Sequence, residues 1–164
     1  MVSRQLVYES GGWKENLLMN QDGDFFSRIL MIASKAYFIS NAKVYYRIGE
    51  YSTVSKANSE NKLVSLLDSY ISYKENALIH KDNLRVRKAL SYNFTYFIYL
   101  YGNKYPALYK KAKDQVENLG VGFQLRKKSP RIRFVSKILG FENLMAIRRI
   151  ISNCLLYTSP SPRD

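Results

Sequence analysis

The sequence predicts an α/β amino-terminal section followed by a mainly α-helical remainder. Two short runs of β-branched and aromatic residues, Tyr37-Phe38-Ile39 and Val44-Tyr45-Tyr46, flank a turn-like Ser40-Asn41 and read as strands. Downstream, apolar residues recur with a period near 3.6 from about residue 62 to 120. A cation-rich stretch then closes the chain.

Element by element, the section over about 1–58 opens with Arg4–Glu9, a short helix or strand stopped by Gly11-Gly12. Asn20 is placed to cap a helix from Gln21 to about Ser34, whose Phe25, Phe26, Ile29, Leu30, Ile32 and Ala33 keep the helical period. The two strands follow, and residues 49–61 are polar and loop-like. In the second section, over 62–120, Leu63, Leu66, Leu67, Tyr70, Ile71, Ala77 and Leu78 make one helical stripe. Leu90, Phe94, Phe97, Ile98 and Tyr101 make another, ended by Gly102. Pro106 suits the first turn of a further helix, which runs to about Leu119 and stops at Gly120.

The third section, over 121–153, sets Arg126, Lys127, Lys128, Arg131, Arg133, Lys137, Arg148 and Arg149 against a single acid, Glu142. Phe134, Ile138, Leu139, Phe141, Leu144, Ile147 and Ile150 give it an apolar side. Residues 154–164, CLLYTSPSPRD, resemble the in-frame translation of a sequencing adapter. They are expected to be a non-native, disordered tail.

Composition narrows the function classes. With 46% hydrophobic residues the 164-residue chain can build a core, which excludes global disorder. A formal net charge of +13 suggests a polyanionic partner: nucleic acid, an anionic membrane face or a phosphorylated substrate. No apolar run is long enough to span a bilayer, and the first residues lack the apolar stretch of a signal peptide. Cys154, the only cysteine, lies in the adapter-like tail, so disulfide, thiolate and cysteine-metal chemistry are not expected. His80 has no ligand-spaced acidic or cysteine neighbours and reads as a solvated residue near a helix end.

The chemistry-bearing residues concentrate in NQDGDFFSRIL, residues 20–30. Gly11-Gly12-Trp13-Lys14-Glu15, then Asn20-Gln21-Asp22-Gly23-Asp24-Phe25-Phe26 and Arg28, resemble the second half of a family 2 glycosyltransferase catalytic domain. There, a loop bearing an aromatic and a Glu precedes an acidic element and an Arg-bearing helix. Tyr45-Tyr46-Arg47, with Ser52 and Ser55, resembles the family's aromatic-Arg close, and Gln21 stands where a Glu is usual. The resemblance is specific over about residues 3–56. It implies the acceptor-side half of a GT-A, Rossmann-like domain with a helical C-terminal extension. It further implies a truncated inverting glycosyltransferase of bacterial surface polysaccharide synthesis, cytoplasmic and peripheral at the inner face of the plasma membrane. Its partners would be a nucleotide-sugar donor and a glycan or lipid-linked acceptor. The divalent Mg or Mn of the intact parent would be held by residues outside this chain, which alone should not turn over.

By the same resemblance Asp22 is the catalytic base, Trp13 and Glu15 bind the acceptor, and Arg47 binds the leaving diphosphate. Plainer readings stand beside these. Asp22 and Asp24 can simply stabilise a helix N-terminus. Asp24, four residues before Arg28, has the acid-first spacing of a helical salt bridge, which is the favoured reading for it. Trp13 can anchor a core, and Arg47 can pair with an acid. Asp22-Gly23-Asp24 also has the spacing of a metal-binding Asp-x-Asp, but no buried strand run precedes it directly. Tyrosines over 92–109 follow helical intervals and read as packing rather than as a stacking surface for sugars or bases. The basic stretch over 121–153 suits an anionic membrane surface or a solvated face. Nucleic-acid binding by a basic helical protein explains the charge but not the grouping from Trp13 to Arg47, and no nucleic-acid-binding motif accompanies it.

Overall fold

A computed structural model describes residues 2–43, 45, 59–125 and 130–157. The described residues form helices and connecting turns, with no strand among them, so the expected α/β, Rossmann-like architecture is replaced by an all-helical one. Tyr37, Phe38 and Ile39 lie in irregular backbone, as does Tyr45, while Val44 and Tyr46 fall outside the described residues. The reason is physical. β-propensity reports how well a side chain sits on a pleated surface, and a strand needs a neighbour for its backbone N–H and C=O groups. Among the described residues no second strand supplies one.

The helices are α1 (Arg4–Glu9), α2 (Gln21–Ile32), α3 (Glu60–His80), α4 (Leu84–Tyr101), α5 (Pro106–Leu119), α6 (Pro130–Leu139) and α7 (Phe141–Tyr157). The Ser3 hydroxyl caps α1 by accepting from the Leu6 amide, and Gly11 and Gly12 end the segment with φ of +78° and +68°. That pair of left-handed residues turns the chain back toward α2, a path only glycine takes without strain. α5 begins at Pro106 and stops at Gly120, whose φ is +67°, as its sequence punctuation predicts. α7 continues through Tyr157 and so into the adapter-like segment.

The chain divides between Leu90 and Ser91, inside α4, into two compact units. In the first, α2 packs on α3 and α1 on α2, over buried Leu17, Ile29, Leu63, Leu66 and Leu67. In the second, buried Phe94, Phe97, Ile98, Leu108, Ala112, Val116, Leu119, Phe141, Leu144 and Met145 form the core. There the Thr95 hydroxyl accepts from the Gln124 amide at 3.0 Å, and the Phe123 and Phe141 rings stack 4.4 Å apart. α6 packs against α7. His80 is exposed in the last turn of α3, matching its solvated reading.

Candidate functional site

The site is assembled where the loop over 10–20 and the start of α2 are laid on one polar face of α3. Ser65, Ser69, Ser72 and Tyr73 recur at helical spacing and form that face. The Ser65 hydroxyl accepts from the Leu18 and Met19 amides at 2.7 and 3.3 Å. The Asn20 side-chain amide donates to the Ser69 and Tyr73 hydroxyls at 2.8 and 2.6 Å. Asn20 therefore occupies the N-cap position without capping through its side chain. It adopts the left-handed φ of +63° and spends its amide on α3 instead. Gly23 follows from this arrangement: a Cβ there would collide with the Tyr73 hydroxyl and the Asn20 side chain. Burial first, then the charges of Asp24 and Asp22, hold the Tyr73 phenol above its usual range against the hydrogen bonds of Asn20 and Ser69.

The two carboxylates of α2 are used differently. Asp24 is fully buried, and its Oδ2 accepts from Arg28 Nε at 3.0 Å and lies 2.9 Å from Arg28 Nη2. This is the pair its spacing predicts. Arg28, itself buried, also donates to the carbonyls of Ser10 and Gly12, so it clamps the turn after α1 onto α2. Lys14 Nζ sits 3.4 Å from Asp24 Oδ1 and donates to the Ser72 hydroxyl at 2.9 Å. Burial alone would raise the Asp24 carboxyl. Hydrogen bonds from Ser72 and Arg28, with the charges of Lys14 and Arg28, outweigh it and hold the group below the usual carboxylate value.

Asp22 is exposed in the first turn of α2, its Oδ1 accepting from the adjacent Gly23 amide at 2.8 Å. Phe25 and Phe26 stand three and four residues on, sharing its side of the helix. The Trp13 ring packs 5.1 Å from Phe25, and the Phe25 and Phe26 rings meet edge-on at 5.2 Å. Trp13 and Phe26 stay 47% and 48% exposed, so the cluster presents aromatic surface rather than filling a core. Glu15 is exposed on the same loop as Trp13. Arg47, Tyr46, Ser52 and Ser55 lie outside the described residues.

No family model, curated protein or solved structure matches the chain. Its chemistry therefore has to be argued from these residues. The Asp-x-Asp metal reading does not fit them. Asp24's oxygens already serve Arg28, Lys14 and Ser72, two of these carrying positive charge, and Asp22 projects to solvent. Among the described residues no group of three or more His, Cys, Asp or Glu converges on a cation position. What the arrangement offers is the accessible Asp22 carboxylate, with Glu15 also exposed, beside an exposed aromatic surface on a frame fixed from beneath.

Sequence reading missed the underside of that frame. Apolar positions of α3 were legible, whereas Ser65, Ser69 and Ser72 were passed over, although their spacing of four and three residues traces one helical face. Lys14 was read only as part of the family-like loop.

Proposed function

We propose that residues 11–47 provide the acceptor side of an inverting glycosyl transfer, with Asp22 as its general base. The observation that carries this reading is the division of labour on α2. Asp24 is consumed by Arg28 and Lys14, while Asp22, two residues away, is left accessible beside the Trp13, Phe25 and Phe26 rings. Aromatic faces take up the apolar C–H face of a sugar ring, and an exposed carboxylate such as Glu15 accepts hydrogen bonds from its hydroxyls. The sequence resemblance over residues 3–56 points to the same chemistry.

In the proposed step the acceptor O–H proton passes to an Asp22 carboxylate oxygen as the acceptor oxygen bonds to the anomeric carbon of a nucleotide-sugar donor. The anomeric C–O bond to the diphosphate breaks, its electron pair leaves with the diphosphate, and the configuration inverts. Arg47 is assigned the leaving charge. The acceptor class is a glycan or lipid-linked glycan of a bacterial surface polysaccharide. A donor-binding half from outside this chain completes the site.

Trp13 is the sole tryptophan, so its emission reports on the acceptor surface directly. Titration of the chain with hexose and N-acetylhexosamine oligosaccharides should give a saturable emission change that Phe25→Ala weakens. A flat titration across the panel would remove the acceptor-binding role. In a protein carrying both halves, Asp22→Asn should lower transfer by about 10²–10⁴-fold with donor affinity unchanged. Undiminished transfer in that variant would remove Asp22 as base.

A further inference from the structure

We propose that the α6–α7 pair docks flat on an anionic lipid bilayer. On α6, Phe134 and Ile138 are 66% and 64% exposed, with Val135 and Leu139 exposed beside them. These residues are spaced four apart in two adjoining rows, so they make one continuous apolar arc. Arg133 and Lys137, likewise four apart and exposed, border that arc on one side. On α7, Ile147, Ile150 and Ile151 are 41%, 64% and 52% exposed and share a face at spacings of three and four. A protein that stays in water seldom leaves a row of large aliphatic and aromatic side chains uncovered on two packed helices.

Charge selects the occupant. α6 contains no acid. The acid of α7's first turn, Glu142, lies 2.5 Å from Lys113 and is already paired. Arg148 is turned inward: it donates to the Tyr99 carbonyl at 2.7 Å and covers the Tyr99 ring at 3.7 Å. That contact ties α7 to Tyr99 of α4 and takes Arg148 out of the surface charge. Arg133 and Lys137 remain at the surface with the apolar rows. Cations bordering an exposed apolar arc match a bilayer interface, where the arc enters the acyl boundary and the cations meet anionic headgroups. A nucleic-acid backbone would use the cations and leave Phe134 and Ile138 in water. No helix of the described residues is long and apolar enough to cross the membrane, which fits a surface-lying pose.

The test is flotation of the full chain with vesicles of phosphatidylcholine alone and of an equal mixture with phosphatidylglycerol. Binding is expected with the mixture and little with phosphatidylcholine. Arg133→Glu with Lys137→Glu should weaken it by about 25-fold or more, at about fivefold per cation. Phe134→Ser with Ile138→Ser should weaken it by about tenfold or more. All four side chains are exposed, so helicity by circular dichroism should be unchanged, and a variant that loses it is replaced by the corresponding single substitution. No flotation with the anionic vesicles overturns the proposal, as does binding indifferent to both variants. Duplex DNA binding that needs Arg133 and Lys137 but ignores Phe134 and Ile138 would assign the surface to nucleic acid instead. Dimerisation abolished by Phe134→Ser, without lipid binding, would assign it to a second copy.

Discussion

Replacing Asp24 by Asn removes one negative charge from a fully buried position while keeping the side chain's shape. Arg28, only 7% exposed, then loses its ionic partner and keeps the Ser10 and Gly12 carbonyls. Removing one member of a buried ion pair costs about 3–5 kcal/mol. Asn still offers a carbonyl oxygen to Arg28, which puts the expected loss near the lower bound, at about 3 kcal/mol. Lys14 adds little to that figure, because its side chain is 40% exposed and can return to water. Against a total stability of about 5–15 kcal/mol for an ordinary domain, this is a large fraction. Urea unfolding followed by Trp13 emission reads the first compact unit specifically, since Trp13 packs on Phe25 within it. Asp22→Asn supplies the internal contrast: an exposed carboxylate on the same helical turn should change stability by less than about 0.5 kcal/mol. A loss below about 1 kcal/mol for Asp24→Asn, or equal losses for both variants, would refute the assignment of Asp24 as the ionic anchor of the site.

Three further outcomes follow from the same geometry. Asp24's folded pKa lies below its ordinary value of 3.8, so its contribution is present above that value and disappears as pH falls through the folded pKa. The urea midpoint of the first unit should therefore drop as pH falls below about 4, and Asp24→Asn should flatten that dependence; identical slopes would contradict it. Gly23→Ala should destabilise by about 1–3 kcal/mol through its collision with Tyr73 and Asn20. Tyr73→Phe should recover part of that loss in a thermal melt, and no recovery would mean the hydroxyl is not the obstacle. Ser65→Ala leaves the Leu18 and Met19 amides without their acceptor and should cost about 1–3 kcal/mol, measured by urea unfolding.

Helices were legible wherever the signal was local. Pro106 and Gly120 bracket α5, and the i, i+4 spacing of Asp24 and Arg28 announced their pair. The strands were misread because Tyr37-Phe38-Ile39 carries the local preference while sheet formation depends on a partner elsewhere in the chain. The site was half legible for a similar reason. Asp22, Trp13 and Glu15 stand out in the sequence, but the Lys14–Ser72 and Asn20–Ser69 hydrogen bonds join residues far apart in the chain. Nothing near Asp24 in the sequence says that it will be buried and Asp22 will not. That difference comes from α3 lying beneath one of them.

The irregular Tyr37-Phe38-Ile39 segment has a consequence for the protein as a colloid. Its side chains are 81%, 93% and 66% exposed, and the run itself is uncharged and favours extended backbone. Such a run pairs readily with an identical run on another molecule. Lys35 and Lys43 flank it, and the net charge of +13 keeps molecules apart at low ionic strength. Added salt shortens that repulsion to about 3 Å at 1 M. Salt should therefore drive self-association, seen as rising light scattering, and Phe38→Lys should suppress it. The same cations that suit this chain to an anionic surface would then also be what keeps it dispersed away from one.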